Sequence, residues 1–479
     1  MKSIIRVVVL LAMLPSSFNL VLVNAHTPAT DDRTIEQKVS AYLQPYLDLN
    51  GFSGAILIAK GGRVIFSKGY GMANCELNVP NTPQTKFHLG SVSKTFTAAA
   101  IMMLQERGKL NVHDPLAKYI ADYPNGDRIT LHHLLTNTSG IPNVNNFPEY
   151  ATQSKFPHTP SDLIPMFKQK PLDFEPGTRG YTESNSNYNL LAYIIEKLSG
   201  QRYGEFLKQN IFDPLGLRDT SHDGDASALI ANKASGYVPA GATSLENAPY
   251  LDWSIKTGNG SIYSTVEDLL GWDRALYTEK ILKKSSLQQM FNEQYGWFNG
   301  KRLNRNVVRM NGRSPGFNSD FQRYVDDDVC IIVLANTYTP TASIIGSDLA
   351  KVVFGEPYEV PKLVKPPRVD AKVLGSYLGR YQFGADFFVP RGVYAIEEKN
   401  GELLMVAPGA NATLVPQSET EFFDRPFWSM IVFARDNQGK VTHLIWRYGG
   451  QDYRAERLPL ECVLQIQGVN VSCEGGISK

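Results

Sequence analysis

Residues 329–335 read Val-Cys-Ile-Ile-Val-Leu-Ala, seven side chains in a row with no charge among them. A strand of this composition has no face to offer water, so it belongs at the centre of a sheet. The run from Phe317 to Val325 precedes it across Asp326-Asp327-Asp328, and the two read as a hairpin. Another hairpin is predicted near the start, from Gly54–Ala59 and Arg63–Ser67 around Lys60-Gly61-Gly62. Apolar periodicity predicts helices over 94–107, 187–198, 265–277 and 348–354. Ser199-Gly200 stops the second, and Ser264-Thr265-Val266-Glu267 fits a capping box at the start of the third.

Beyond residue 355 the pattern changes. Pro357, Pro361, Pro366 and Pro367 fall within 356–368, a segment with little apolar periodicity that reads as a semi-rigid linker. From 369 to 479 short alternating runs (393–396, 403–406, 430–433, 443–448) are broken by Asn400-Gly401, Gln438-Gly439 and Gly449-Gly450, which predicts a small all-β domain. A chain of 479 residues is long enough for about two or three domains. With 43% hydrophobic and 20% charged residues it can bury a core, which excludes a mainly disordered protein.

At the N-terminus, Lys2 and Arg6 accompany an apolar run from Ile4 to Leu14, and Ala25 offers a small residue before a cut at His26. Residues 1–25 therefore read as a secretory signal, and the protein as secreted or periplasmic. Pro15, Ser16, Ser17 and Asn19 interrupt the run before it reaches the ~20 apolar residues of a membrane span. Lys and Arg number 48 against 47 Asp and Glu, so no global field favours nucleic acid. Four cysteines make no framework; Cys462 and Cys473 either bridge in an oxidising compartment or stay free. The eight histidines form no metal-binding pattern, and no metal or organic cofactor is expected. His132-His133, the one adjacent pair, cannot face a common ligand from a helix and reads as structural.

Two serine motifs compete for a nucleophile. Gly312-Arg313-Ser314-Pro315-Gly316 matches G-x-S-x-G, but Pro315 lacks the N–H that such an elbow contributes to an oxyanion hole, and a strand follows it. Ser91-Val92-Ser93-Lys94 opens a predicted helix, which places Ser91 and Lys94 on one face. A lysine desolvated in a pocket can take the serine proton, and a helix N-terminus favours the developing oxyanion.

The surrounding segment, Gly90-Ser91-Val92-Ser93-Lys94-Thr95-Phe96-Thr97, resembles the penicillin-recognising serine hydrolases: class C β-lactamases, D-alanyl-D-alanine carboxypeptidases and related esterases. Leu134–Pro142, Glu175–Thr178, Tyr263–Leu269 and Pro315-Gly316-Phe317 resemble that family in its order, over roughly residues 35–355. The resemblance implies an α/β (α+β) fold, an antiparallel sheet flanked by helices with a helical subdomain, over residues 26–355. Gly379-Arg380-Tyr381 and the hairpins after it resemble the small lipocalin-like barrels of some members.

By resemblance Ser91 is the acylated nucleophile, Lys94 its base partner and Asn185 a substrate-amide contact. The family's Y-x-N motif aligns with Glu183-Ser184-Asn185, so glutamate stands where tyrosine is expected. Tyr181 lies two residues upstream, where a shifted loop would supply the phenol; otherwise Glu183 is a base, a partner of Lys94 or a solvated carboxylate. The third motif, K-x-G or H-x-G ahead of a strand, aligns better with Met310-Asn311-Gly312 than with Lys256-Thr257-Gly258. Met310 cannot donate to a substrate carboxylate, although Arg309 and Arg313 flank the triplet. The backbone N–H of Arg313, just after Gly312, is implied as the second oxyanion donor. Together these features point to a serine hydrolase acting on amide, ester or β-lactam carbonyls of a small-molecule or peptide substrate. The rival is a catalytically impaired member that binds peptidoglycan-like peptides or a protein partner.

Overall fold

The run 329–335 sits where its composition requires, between two strands and under two layers of helix. The computed structural model describes residues 21–26, 34–364, 367–387, 389, 391–407, 410–448 and 450–459, so Cys462 and Cys473 lie outside the described residues. Six strands, β1 (Gly54–Lys60), β2 (Arg63–Tyr70), β3 (Phe298–Arg302), β4 (Arg305–Ser314), β5 (Phe317–Tyr324) and β6 (Val329–Ala335), form an antiparallel sheet ordered β3-β4-β5-β6-β1-β2. Successive side chains alternate between two cores: Cys330, Ile332 and Leu334 enter one, Ile331 and Val333 the other.

Helices α1 (Ile35–Asp48), α2 (Ser93–Glu106), α3 (Asn185–Ser199), α4 (Val266–Ala275) and α5 (Thr341–Phe354) complete the layers. Tyr42, Leu43, Ile345 and Leu349 of α1 and α5 cover one face of the sheet; Phe96, Leu191 and Trp272 of α2, α3 and α4 belong to the core on the other. The cap of α4 is Thr265, whose hydroxyl accepts from the Asp268 amide; Ser264 bonds instead to Thr220. Helix α5 begins at Thr341 rather than near Asp348, because Ala342 and Ile345 extend its apolar face.

Within the segment read as a linker, residues 359–364 form a strand paired antiparallel with Val21–His26. A two-stranded ribbon has free edges, so Pro361 is tolerated there. Beyond it, β7 (Gly379–Phe383), β8 (Val393–Lys399), β9 (Glu402–Ala407), β10 (Ala410–Pro416), β11 (Glu421–Asp424), β12 (Ser429–Arg435), β13 (Val441–Tyr448) and β14 (Gln451–Arg457) close into a barrel. Its interior is filled by Tyr381, Phe383, Phe422, Phe433 and Trp446. No helix among the described residues is long and apolar enough to cross a membrane.

The turn between β11 and β12 docks the barrel on the rest of the chain. The buried Arg425 guanidinium donates to the carbonyls of Ala240, Gly241 and Ser244 and, at 2.8 Å, to that of Leu49. Trp428 stacks on Tyr46 with ring centroids 5.3 Å apart, and Gly51 leaves it room, since a Cβ there would lie 2.5 Å from the indole.

Asp424 at the root of this turn is buried, which pushes its carboxyl up to about 7 against hydrogen bonds from Ser429 and the Phe427 amide. An unfolded aspartate titrates near about 4, so the folded chain binds an extra proton between the two values. The resulting stabilisation is complete below about pH 4 and is lost as the pH rises to about 7. Asp424→Asn should therefore flatten the fall in Tm between pH 5 and 8. Superimposable Tm-against-pH curves for the two proteins would contradict this.

Candidate active site

Gly90–Val92 form one 3-10 turn that runs directly into α2, and the helix is buried from Ser93 to Leu104. Lys94, one turn after Ser91, thus has almost no access to solvent, and its Nζ lies 3.2 Å from Ser91 Oγ. The same Nζ donates to Glu183 Oε1, also at 3.2 Å. Burial pushes the Lys94 ammonium below its ordinary value, opposed by the charge and hydrogen bond of Glu183. In return, the Lys94 charge holds the Glu183 carboxyl below the usual range for glutamate.

The turn is gripped by the sheet. Gly90 has φ +53°, and a Cβ on it would lie 2.8 Å from the Arg313 amide nitrogen. A Cβ on Gly312 would lie 1.9 Å from the Leu89 carbonyl and 2.8 Å from the Ser91 amide nitrogen. Both glycines are therefore needed for β4 to approach Ser91 this closely. Ser319 on β5 donates to the Leu89 carbonyl at 2.6 Å, and Ser93 accepts from the Ile262 amide at 3.1 Å.

Glu183 is held by the loop 134–142. Asn137, at φ +55°, accepts through Oδ1 from the Ser184 amide and from Asn187 Nδ2, and its carbonyl accepts from the Thr182 amide. Ser139 Oγ donates to Asn187 Oδ1 at 2.7 Å. Residues 182–187 are thus fixed at both ends, with the Glu183 carboxylate facing Lys94.

Ser91, Tyr181, Glu183, Asn185, Met310 and Arg313 line one cavity of about 450 Å³. Gly312 lies behind it, against the turn. The Tyr181 ring packs edge-on against Phe298 at 5.0 Å, and its hydroxyl has no hydrogen-bond partner among the described residues. The amide of Asn185 donates to Asn143 Oδ1, and its own Oδ1 is buried without a partner. Met310 is buried on β4. Arg313 turns its guanidinium to the barrel, donating to the Pro426 carbonyl at 2.8 Å between the rings of Tyr338 and Phe427.

Sequence reasoning did not place Asn143, Asn259, Phe298, Tyr338 or Lys256 in this cavity, and all five line it. Lys256 carried a signal in the letters Lys-Thr-Gly, for which the sequence predicts a following helix rather than a strand; a short strand, Ile262–Ser264, does follow it and pairs with Phe87–His88 and Ser221–His222. Ser314, from the other serine motif, also lines the cavity, with no hydrogen-bonding base beside it among the described residues. His132 pairs with the Tyr295 hydroxyl and His133 accepts from the Thr130 amide, both structural contacts. Among the described residues no cluster of His, Cys, Asp or Glu is arranged to hold a metal ion.

A sheet-borne glycine strand pressed on a Ser-x-x-Lys turn defines a class, and comparison with known proteins agrees. The family model described as Beta-lactamase matches residues 39–350, so the chain belongs to the beta-lactamase family, whose penicillin-binding relatives and enzymes are serine hydrolases. It is 28% identical to a penicillin-binding protein of Bacillus subtilis (strain 168) over 456 residues, covering 87% of this chain and 99% of the relative. It is 35% identical to the putative penicillin-binding protein PbpX of the same organism over 289 residues, 59% of this chain and 69% of the relative. The crystal structure of a penicillin binding protein from Bacillus halodurans matches with 26% identity and a TM-score of 0.55, over 62% of this chain and 94% of that one.

Because a Cβ on Gly312 would overlap the Leu89 carbonyl and the Ser91 amide nitrogen of the backbone, as well as Ser319 Oγ, Gly312→Ala must push β4 away from the Ser91 turn. Ser91 modification by a fluorophosphonate should slow at least ~10-fold, the scale of a misplaced reacting group, while circular dichroism stays native. An unchanged rate would show that this contact does not set the site.

Proposed function

We propose that the protein is a secreted serine hydrolase, with residues 1–25 as its signal, that forms an acyl-enzyme at Ser91 with amide, ester or β-lactam carbonyls. One observation carries this reading: Lys94 Nζ stands 3.2 Å from both Ser91 Oγ and Glu183 Oε1. In the proposed step Ser91 Oγ bonds to the carbonyl carbon while its proton passes to Lys94, and Lys94 hands a proton to the Glu183 carboxylate. The Ser91 and Arg313 amides receive the oxyanion charge. Collapse of the tetrahedral adduct breaks the bond to the amine or alcohol, which leaves with the proton returned through Lys94. Water then attacks the acyl ester by the same route and frees Ser91. The lowered value of Lys94 supports its part, since a fully basic ammonium would not exchange the proton.

A second reading rests on the same ion pair. If Glu183 only holds Lys94 protonated, the site is impaired and binds peptidoglycan-like peptides or a protein partner without turnover. The two readings part at one substitution. On the relay reading Glu183→Gln lowers esterase turnover by ~10² or more; on the impaired reading Glu183→Gln or Glu183→Tyr raises it.

Intact-protein mass spectrometry after exposure to a neutral fluorophosphonate tests the nucleophile. A single adduct is expected on the native chain and none on Ser91→Ala. No adduct, or an equal one on Ser91→Ala, would end the hydrolase reading. A penicillin adduct should be long-lived, because Glu183 and Met310 stand where the family pattern has tyrosine and lysine or histidine; turnover of a chromogenic cephalosporin at the rate of a dedicated β-lactamase would contradict this.

A further inference from the structure

Four cations lie in or beside the Ser91 cavity, and three are committed. Lys94 is bonded to Ser91 and Glu183. Arg313 is bonded to the barrel at Pro426 and sandwiched between two rings. Arg309 lies over the Phe298 ring and does not line the cavity. Lys256 lines the cavity, is 5% exposed, and has neither a hydrogen bond nor an ion pair among the described residues. Its Nζ lies 5.7 Å from the centroid of the Tyr150 ring.

Local structure aims this side chain at the nucleophile. Lys256 ends the 3-10 turn Trp253–Lys256, and its carbonyl accepts from the amides of Asn259 and Gly260. Its stem packs beside Gly260, where a Cβ would lie 3.5 Å from Lys256 Cδ and 3.6 Å from the Gly90 Cα next to Ser91. The charge acts on both Lys94 and Glu183. Asn259 lines the same wall, and both of its side-chain polar atoms are buried without partners. A buried ammonium with no counter-ion is costly, and an unpaired amide beside it adds to the cost. Both costs are relieved by a bound carboxylate.

We propose that Lys256, with Asn259, binds a carboxylate of the acyl donor, supplying from the 253–260 turn the charge that Met310 cannot supply from β4. The proposal rests on the acyl-enzyme reading and narrows it: the favoured substrate is an anion whose carboxylate shares the 450 Å³ cavity with the carbonyl attacked by Ser91. Glu183 does not repel it, since Lys94 neutralises that carboxylate and Lys256 remains in excess.

The test compares Ser91 acylation by benzylpenicillin, by its methyl ester and by a neutral fluorophosphonate, each followed by intact-protein mass spectrometry. In the native chain the free acid should acylate at least ten-fold faster than the ester. In Lys256→Met that ratio should fall to near one, and in Lys256→Arg most of it should persist. Fluorophosphonate labelling reports whether each variant retains a folded, reactive Ser91. Equal rates for acid and ester in the native chain, a ratio that survives Lys256→Met, or no penicillin adduct while the fluorophosphonate labels Ser91 would each overturn the carboxylate site alone. Failure of the fluorophosphonate on the native chain would instead remove the acyl-enzyme reading, and this proposal with it.

Discussion

The approach of β4 to the turn that carries Ser91 is the constraint on which the site depends. Two glycines meet there with no room for a Cβ on either, and the Leu89 carbonyl between them is tied to Ser319 on β5. That contact fixes Ser91 against the sheet, brings the Arg313 amide beside Gly90, and leaves Lys94 on the first turn of a helix too buried to solvate it. A buried lysine needs a partner, and the loop 134–142 provides one by holding residues 182–187 so that Glu183 reaches Nζ. The chemistry of the site follows from packing decisions made two layers away.

The barrel enters the same arrangement from outside. Arg425 caps four carbonyls of the first module, and the Pro426 carbonyl accepts from the Arg313 guanidinium at the cavity wall. With Arg313 engaged there and methionine at 310, the open positive charge of the cavity falls to Lys256. In the proposed mechanism Glu183 takes the proton relayed through Lys94 and Lys256 the anion, from two segments that lie far apart in the chain.

Much of the fold was legible because burial leaves period-two and helical patterns in the residues themselves. The apolar run of β6, the hairpin β1–β2, the helix after Ser91 and the barrel hairpins were all expected near their observed bounds. Less legible were features set by tertiary contact. Thr265 rather than the Ser264 box caps α4 because Thr220 claims the Ser264 hydroxyl. The orientation of Glu183 against that of Tyr181 depends on Asn137, more than forty residues upstream, so local sequence left it open. Lys256 was less legible because the strand that follows it, Ile262–Ser264, is only three residues long and runs straight into the cap of α4, and because Lys256 itself sits on a turn. The direction of the Arg313 side chain required the barrel turn, which no local pattern announces.

The role of the Lys94–Glu183 pair is the centre of this account, and the pH dependence of Ser91 acylation reads it directly. Glu183 must be ionised to receive the proton, and Lys94 holds its carboxyl below the ordinary glutamate range. The acylation rate constant for a neutral ester should therefore rise with pH through a value below that range, and Glu183→Gln should be slower and lack this limb. An identical acid limb in Glu183→Gln, or a variant faster than the native chain across the profile, would contradict the relay and leave Glu183 as a brake on Lys94.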